Sequence, residues 1–209
     1  MILIENEMVL GWEAAIRGMR NPKESWEKSD SEYGGGFFQI GDADRKLMRQ
    51  LASAGSDHSK FMRMITVTID ITAPLFWWAE MDTYKVGTVR NSCSKMHRIQ
   101  AKRITEKSFS VDSARDDYEM RREFTAIVGI CERLRKKYLE TGEKRYWRML
   151  IEFLPESYNQ KATWQANYAV LRNIYHARRN HKLTEWHAFC DWIEKLPLSW
   201  LITGEGDED

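Results

Sequence analysis

Residues 62–81 read MRMITVTIDITAPLFWWAEM, and the hydrophobic period changes abruptly within this stretch. Over residues 62–71, apolar and polar side chains alternate and β-branched residues are frequent, which is typical of a strand with one buried face. Residues 73–81 follow, with Pro74 in a position suited to the first turn of a helix, where a missing amide hydrogen costs nothing. The stretch therefore predicts a strand that passes directly into a helix, with Asp70 on the exposed face of the strand.

Helical spacing of apolar residues predicts most of the remaining structure. Residues 42–54, DADRKLMRQLASA, predict a helix whose free amides are capped by Asp42. A long amphipathic pattern then covers residues 112–138, with charged residues on its other face. The same spacing predicts further helices over residues 143–153, 161–178 and 184–195.

The length of 209 residues predicts a single domain that spans residues 1–209. Residues 28–41 include the run YGGG after a polar stretch, and they predict a flexible loop. This glycine run lacks the flanking residues of phosphate-binding and dinucleotide-binding loops. Residues 204–209, GEGDED, predict a solvated acidic tail.

Charge and hydropathy exclude two classes of partner. The 32 Lys and Arg residues balance 31 Asp and Glu residues, so no global field attracts nucleic acid. The longest apolar run is far shorter than the ~20 residues that cross a bilayer, so we expect no membrane partner. The amino end has no recognisable secretion signal, and we expect a cytoplasmic protein.

Cysteine and histidine spacing argues against a disulfide framework and a metal centre. Cys93, Cys131 and Cys190 are an odd, widely separated set, so reduced thiols are expected. The histidines lack the spacing and the partners of known metal motifs, and we therefore expect no metal site. Cys93 has polar neighbours but no histidine that the sequence places as its base.

The densest cationic and hydrogen-bonding patch contains Arg172, Arg178 and Arg179, with asparagine and histidine between them. An arginine fork suits carboxylates and phosphates and stacks on aromatic rings. The same charges also favour the carboxyl end of a helix. From the residues alone, a ligand site and a solvated helix end are equally supported.

Four segments carry a family resemblance: AAIRGMRNPKESW at 14–26, GSDHSKF at 55–61, MITVTIDITAPLFWWAEMD at 64–82, and FLPESYNQKATWQANYAVLRNIYHARRNH at 153–181. In this order they resemble the flavin-dependent thymidylate synthases. These tetrameric enzymes methylate deoxyuridine monophosphate (dUMP) with reduced FAD and methylenetetrahydrofolate. The likeness covers nearly the whole chain, from about residue 12 to residue 197.

The resemblance implies an α+β fold, with a small antiparallel sheet flanked by long helices, and a homotetramer. It implies FAD as cofactor and a pyrimidine nucleotide as the small-molecule ligand. NADPH and methylenetetrahydrofolate are implied as co-substrates only if the family activity is kept. His58 and Asn167 fall on flavin-contacting residues, and Arg178 falls on the arginine that polarises the pyrimidine.

The signature motif of the family is degenerate in this chain. The family reads Arg-His-Arg, two residues, Ser, one residue, Asn-Glu, one residue, Ser, one residue, Arg, whereas residues 83–95 read TYKVGTVRNSCSK. A lysine restores charge but not the bidentate geometry of arginine, so affinity for dUMP should suffer. The replacements are Thr83, Tyr84 and Lys85 for Arg-His-Arg, Asn91 for the glutamate, Cys93 for the second serine and Lys95 for the last arginine.

Outside the motif, three family residues are also replaced. Glu80 replaces a glutamine of the family, and Ala169 replaces an arginine. Ile151 replaces an arginine that binds the nucleotide in the family. Arg148 lies one helical turn earlier and is placed to substitute for that arginine. A carboxylate at Glu80 would repel a phosphate or a reduced flavin.

The resemblance therefore assigns one catalytic residue and two binding sets. Arg178 is the catalytic residue. The flavin set is His58, Lys85, Asn91 and Asn167. The substrate set is Glu80, Ser92, Cys93, Ser94, Lys95, Arg148 and Arg178.

Two functions are consistent with this pattern. One is a divergent flavin enzyme that acts on a pyrimidine nucleotide, by reductive methylation of dUMP or a related flavin reaction. The alternative is a catalytically inactive nucleotide-binding or structural homologue on the same fold, because function belongs to the site and not to the scaffold.

Overall fold

The computed structural model describes residues 2–114 and 116–204. Residues 205–209 of the predicted acidic tail lie outside them. The strands are β1 (Leu3–Leu10), β2 (Glu32–Gly34), β3 (Phe37–Gln39), β4 (Thr66–Pro74), β5 (Val89–Ser92) and β6 (Asn159–Asn167). The helices are α1 (Trp12–Arg20), α2 (Asp42–Ser53), α3 (Leu75–Met81), α4 (Lys95–Arg98), α5 (Tyr118–Thr141), α6 (Lys144–Phe153), α7 (Tyr168–Arg178), α8 (Thr184–Ile193) and α9 (Trp200–Thr203).

The architecture is the α+β arrangement that the sequence predicts. A small antiparallel sheet has the strand order β1-β4-β6-β5, and a separate hairpin pairs β2 with β3. Two compact units are distinguished along the chain. The first unit comprises residues up to 4, residues 70–83 and residues 90–163, and the second comprises residues 5–69, 84–89 and 164 onward. A single domain remains a prediction.

The strand and helix predicted within residues 62–81 are confirmed. The strand β4 begins at Thr66, after a short 3-10 turn over Ser59–Arg63, and α3 begins at Leu75. Val67, Ile69 and Ile71 have no exposed surface, as the alternating pattern requires. Pro74 ends the strand and precedes the first turn of α3, where its missing amide donor breaks no helical hydrogen bond.

The helix predicted over residues 161–178 is wrong in its first half. Residues up to Asn167 form β6, and only α7 is helical. Gln160, Ala162, Trp164 and Ala166 are buried at a period of two, so one face of the strand packs into the core. Pairing with β4 and β5 overrides the helical spacing that Trp164 shares with the residues of α7.

The flexible loop predicted over residues 28–41 contains regular structure, because β2 and β3 form an antiparallel hairpin there. Tyr33 lies opposite Phe38, and their rings make an edge-to-face contact with centroids 5.2 Å apart. Gly35 and Gly36 have φ angles of 61° and 86°, which glycine adopts without strain. A cross-strand aromatic pair and a glycine turn therefore replace the loop.

The helix α2 is confirmed, but Asp42 does not cap it. The carboxylate of Asp30 accepts hydrogen bonds from the amides of Ala43 and Asp44, at 2.8 and 3.1 Å. An acceptor from a distant segment therefore satisfies the free amides of this helix.

Each unit has its own apolar packing. In the first unit, Val128 and Cys131 of α5 pack with Leu150 of α6. In the second unit, α8 buries Trp186, Phe189 and Cys190. Burial raises the pKa of Cys190 to about 11 and also raises the pKa of Cys131, and all three cysteines are free thiols.

None of the helices within residues 2–114 and 116–204 combines the length and the apolar composition that a bilayer-spanning segment requires.

Candidate functional site

Arg178, the predicted catalytic residue, lies in the last turn of α7 in the second unit. Its Nε atom donates a hydrogen bond of 2.8 Å to the hydroxyl of Tyr84. Its guanidinium carbon lies 4.7 Å from the ring centroid of Trp186 and 5.5 Å from that of Tyr84. Such cation–π contacts contribute ~0.5–2 kcal/mol, so two rings and a hydrogen bond hold the side chain in one orientation.

Asn167, a predicted flavin ligand, begins the same helix. Its side-chain oxygen accepts a hydrogen bond of 3.0 Å from the amide of Val170, which makes it the amino-terminal cap of α7. The backbone of Gly87 passes close to this side chain, because a Cβ atom at Gly87 would lie 3.2 Å from the side-chain nitrogen Nδ2 of Asn167. Gly87 also has a φ angle of 74°, so both space and backbone conformation favour glycine at this point.

His58, the other predicted flavin ligand, is exposed in the turn between α2 and β4. The neighbouring residues of this turn and the first half of α7 enclose a cavity of about 250 Å³, which we call the Arg172 cavity. Its polar lining contains two guanidinium groups and two hydroxyl groups. The residues that line it are Gly55, Ser56, Ser59, Met62, Arg63, Ala169, Arg172 and Asn173.

The degenerate signature motif is divided between the two units: residues 83 and 90–95 belong to the first, and residues 84–89 belong to the second. Its middle forms the edge strand β5, and the amide of Cys93 donates a hydrogen bond of 2.9 Å to the carbonyl of Lys161 in β6. Ser94 then caps α4 by accepting a hydrogen bond from the amide of His97. This pairing presents consecutive residues of the motif to one cavity.

That cavity has a volume of about 410 Å³, and we call it the Lys95 cavity. It is lined by three of the predicted substrate ligands: Cys93, Ser94 and Lys95. Four cationic side chains take part in the lining: Lys95, Arg98, Lys102 and Lys161. Among the described residues, no carboxylate contributes to it, so the lining favours an anionic ligand.

Lys95 is partly buried and lies near another cation that is outside the cavity lining. Burial lowers its pKa, the charge of Arg90 lowers it further, and Glu156 partly opposes both effects. Tyr158, on the same wall, has a raised pKa, because it is buried and because of the nearby Cys93. A bound anion would relieve the repulsion between Lys95 and Arg90.

A hydrogen-bonded network fixes the wall behind the motif. The guanidinium of Arg90 stacks 3.8 Å from the ring centroid of Trp78 and is paired with Asp82. Arg90 also donates to Gln160, at 2.7 Å, and Gln160 donates to the carbonyl of Cys93, also at 2.7 Å. The hydrogen bonds that link Arg90 to Cys93 through Gln160 therefore orient the segment that lines the Lys95 cavity.

The remaining predicted ligands are more dispersed. Lys85, Asn91 and Ser92 are exposed, and Glu80 is half-buried on α3. Arg148 lies on α6 with a side chain that is 75% exposed, and it forms an ion pair of 2.7 Å with Glu152. Neither cavity is lined by any of these five residues, whose assignments remain predictions.

Several cavity residues were not identified by sequence reasoning. Arg98 and Lys102 continue from Lys95 at intervals of three and four residues, a spacing that was available in the sequence as a signal. Lys161 begins the segment predicted to be helical, and Gln160 directly precedes it. Their place opposite the motif follows only from strand pairing. Arg63 likewise joins the Arg172 cavity through the fold.

Within residues 2–114 and 116–204, no three His, Cys, Asp or Glu side chains are grouped so that they could hold a metal ion.

Comparison with known proteins identifies the fold. No protein-family profile matches the sequence, and no curated protein sequence matches it either. Solved structures do match over nearly the whole chain. The flavin-dependent thymidylate synthase ThyX from Helicobacter pylori, complexed with FAD and dUMP, superposes with a TM-score of 0.74 at 18% identity, over 96% of this chain and 98% of that one.

Two further structures agree. Another structure of Helicobacter pylori ThyX with FAD and dUMP gives a TM-score of 0.71 at 18% identity, over 98% of both chains. The UMP/dUMP methylase PolB from Streptomyces cacaoi, bound to 5-Br dUMP, gives 0.66 at 17% identity, over 93% of this chain and 88% of that one. The chain therefore has the fold of the flavin-dependent thymidylate synthases, as the sequence resemblance predicts.

Proposed function

We propose that this chain is a divergent flavin protein that acts on a pyrimidine nucleotide, by reductive methylation of dUMP or a related flavin reaction. The observation that carries this proposal is the Lys95 cavity, whose lining contains four cations and, among the described residues, no carboxylate. A nucleotide phosphate carries about −1.5 to −2 charges at pH 7, and it is the anionic group best suited to this lining. Cys93 and Ser94 add further hydrogen-bonding groups at the same wall.

The Arg172 cavity fits the phosphate groups of FAD. Arg63 and Arg172 supply two cationic side chains, and Ser56 and Ser59 supply hydroxyl donors. Ala169 leaves space where the family has an arginine. His58 and Asn167 flank these residues in sequence and are assigned to the flavin by resemblance. When bound and reduced, FAD would supply the hydride chemistry.

Arg178 is proposed to polarise the pyrimidine ring by hydrogen bonding. Its contacts with Tyr84 and Trp186 hold the guanidinium in place before a ligand binds. A donor that is oriented in advance loses less conformational entropy when the substrate arrives. NADPH and methylenetetrahydrofolate enter the proposal as co-substrates only if the complete family reaction is kept.

The alternative function is an inactive nucleotide-binding or structural homologue. The observation that favours it is the hydrogen bond from the Nε atom of Arg178 to Tyr84, the residue that replaces the family histidine. Replacement of the Arg-His pair of the family by Thr83 and Tyr84, which carry no positive charge, supports the same alternative.

A cytoplasmic homotetramer completes the proposal. The first unit exposes apolar side chains on its two long helices, and these suit a subunit interface. They include Ile127, Ile130 and Leu139 on α5, and Met149 and Phe153 on α6.

The deciding experiment is to purify the protein, record its visible spectrum and titrate it with FAD. We expect a flavin absorption band, either on purification or after FAD is added, and Arg172→Gln should weaken binding at least tenfold. Arg103→Gln, an exposed residue outside both cavities, is the matched control and should bind normally. A colourless protein that does not bind FAD would overturn the flavin proposal and favour the inactive homologue.

A second measurement tests the catalytic assignment. In flavin-loaded protein, Arg178→Ala should abolish turnover of a pyrimidine nucleotide while the flavin spectrum is retained. Unchanged turnover would refute the assignment of Arg178.

A further inference from the structure

The four cationic side chains that line the Lys95 cavity differ in their surroundings. Lys161 forms an ion pair of 3.3 Å with Asp70, and Lys95 is influenced by the carboxylate of Glu156. Arg98 and Lys102 differ from both. In the described part of the chain, their side chains make no ion pair and no hydrogen bond, yet both line the cavity.

These two cations extend the site away from the motif. Lys95, Arg98 and Lys102 are three and four residues apart, across α4 and the turn that follows it. Lys95 and Arg98 lie on one turn of α4, where side chains three residues apart are neighbours, and Lys102 lies beyond the end of that helix. The cationic wall therefore extends from α4 into the segment that follows it.

The space is consistent with a longer anion. The cavity volume of about 410 Å³ lies within the ~300–1,000 Å³ typical of small-molecule sites. A single phosphate, with three terminal oxygens, can engage Lys95 and the adjacent residues of the motif. A second phosphate would then be the partner for Arg98 and Lys102.

We propose that the Lys95 cavity binds the phosphate chain of a nucleoside diphosphate or triphosphate in preference to a monophosphate. This inference rests on the nucleotide-binding function proposed above and specifies its substrate class. Lys95 contacts the phosphate nearest the sugar, and Arg98 with Lys102 contacts the next one.

The test is isothermal titration calorimetry of the full chain with dUMP, dUDP and dUTP, without divalent cations. We expect dUDP and dUTP to bind at least about tenfold more tightly than dUMP, a difference of ~1.4 kcal/mol. The double variant Arg98→Gln/Lys102→Gln should weaken dUDP and dUTP binding more than dUMP binding, and so reduce this preference to less than about twofold. Both side chains are exposed, so the variant should fold normally.

A matched control uses the next arginine and lysine along the chain. Arg103→Gln/Lys107→Gln removes the same two charges at the same four-residue spacing from exposed residues outside the Lys95 cavity, and it should keep the preference. Equal affinities for dUMP and dUDP in the parent protein, or an equal loss of the preference in both double variants, would overturn this inference and leave the proposed function standing. Failure of all three nucleotides to bind would overturn the proposed function as well.

Discussion

The Nε atom of Arg178 donates a hydrogen bond of 2.8 Å to the hydroxyl of Tyr84. Tyr84 belongs to the degenerate signature motif, whereas Arg178 lies at the end of α7, 94 positions later in the chain. Arg178 therefore already has a partner before any ligand binds. The family resemblance identifies both positions, but only the structure shows that they contact each other.

Tyr84→Phe tests the contribution of this contact to stability. Removing the hydroxyl leaves the partly buried Arg178 without an acceptor at Nε, and the free energy of unfolding should fall by about 1–2 kcal/mol. Urea unfolding measures the change. Tyr118→Phe, at a site 83% exposed, is the control and should be neutral. Equal stability of Tyr84→Phe and the parent protein would show that the hydrogen bond contributes nothing.

Asp44→Asn tests the buried ion pair of the second unit. Asp44 is fully buried, and its carboxylate accepts hydrogen bonds from Arg20, Ser29 and Ser31. The substitution leaves Arg20 as an uncompensated buried charge, so we expect a loss of about 3–5 kcal/mol in the free energy of unfolding. Asp42→Asn, on the exposed surface of the same helix, should change stability far less.

The same carboxylate predicts a pH dependence. Burial alone would raise the pKa of Asp44, but hydrogen bonds from Ser29, Ser31 and Arg20, together with the charge of Arg20, hold that pKa below its ordinary value. The stabilisation is therefore complete above the ordinary aspartate pKa of about 3.9 and is lost as pH falls through the lower pKa of the folded state. Unfolding curves between pH 7 and pH 2 should show this acid-dependent loss in the parent protein and a smaller one in Asp44→Asn.

Asn167 has two separable contributions. As the cap of α7 it should contribute about 1 kcal/mol to stability, so Asn167→Ala should lower the free energy of unfolding by that amount. Asn167→Ser keeps a capping oxygen and should restore most of the stability. If the amide also contacts flavin, Asn167→Ser should still weaken FAD binding, measured by fluorescence titration. Full FAD affinity in Asn167→Ser would limit Asn167 to its capping function.

Asp30 and Asp42 should contribute unequally to the stability of α2. Asp30→Ala removes the acceptor for two helix amides and should destabilise the protein by about 1 kcal/mol. Asp42→Ala removes only a charge near the positive end of the helix, with an effect of about 0.3–1 kcal/mol. Thermal unfolding should therefore rank Asp30→Ala as the less stable variant. The reverse order would restore the cap predicted from the sequence.

The oligomeric state is measured by light scattering coupled to gel filtration. We expect a homotetramer that is weakened by Ile127→Glu/Ile130→Glu, because charges would enter an apolar surface of α5. Gln50→Glu, an exposed change on α2, is the control and should leave the mass unchanged. A monomeric parent protein would contradict the proposed assembly.

Predictions from the sequence succeeded where the local hydrophobic pattern matched the burial of the same residues in the folded protein. The alternation at Val67, Ile69 and Ile71 is a property of neighbouring residues, so β4 was predicted correctly. They failed at residues 161–167, where an amphipathic segment satisfies both the helical and the strand period, and pairing with other strands selects the strand. They also failed at residues 32–39, since the aromatic pair Tyr33 and Phe38 forms only after the chain turns.

The order of most elements follows from residue type and spacing along the chain. The family resemblance predicted the fold and named Arg178 and Lys95 as candidate ligands. The grouping of side chains around each cavity became visible in the three-dimensional structure alone. Lys161 joins Lys95 through the pairing of β5 with β6, and Arg178 meets Tyr84 across 94 positions of the chain. Such contacts depend on long-range burial and strand pairing, which no local window of sequence records.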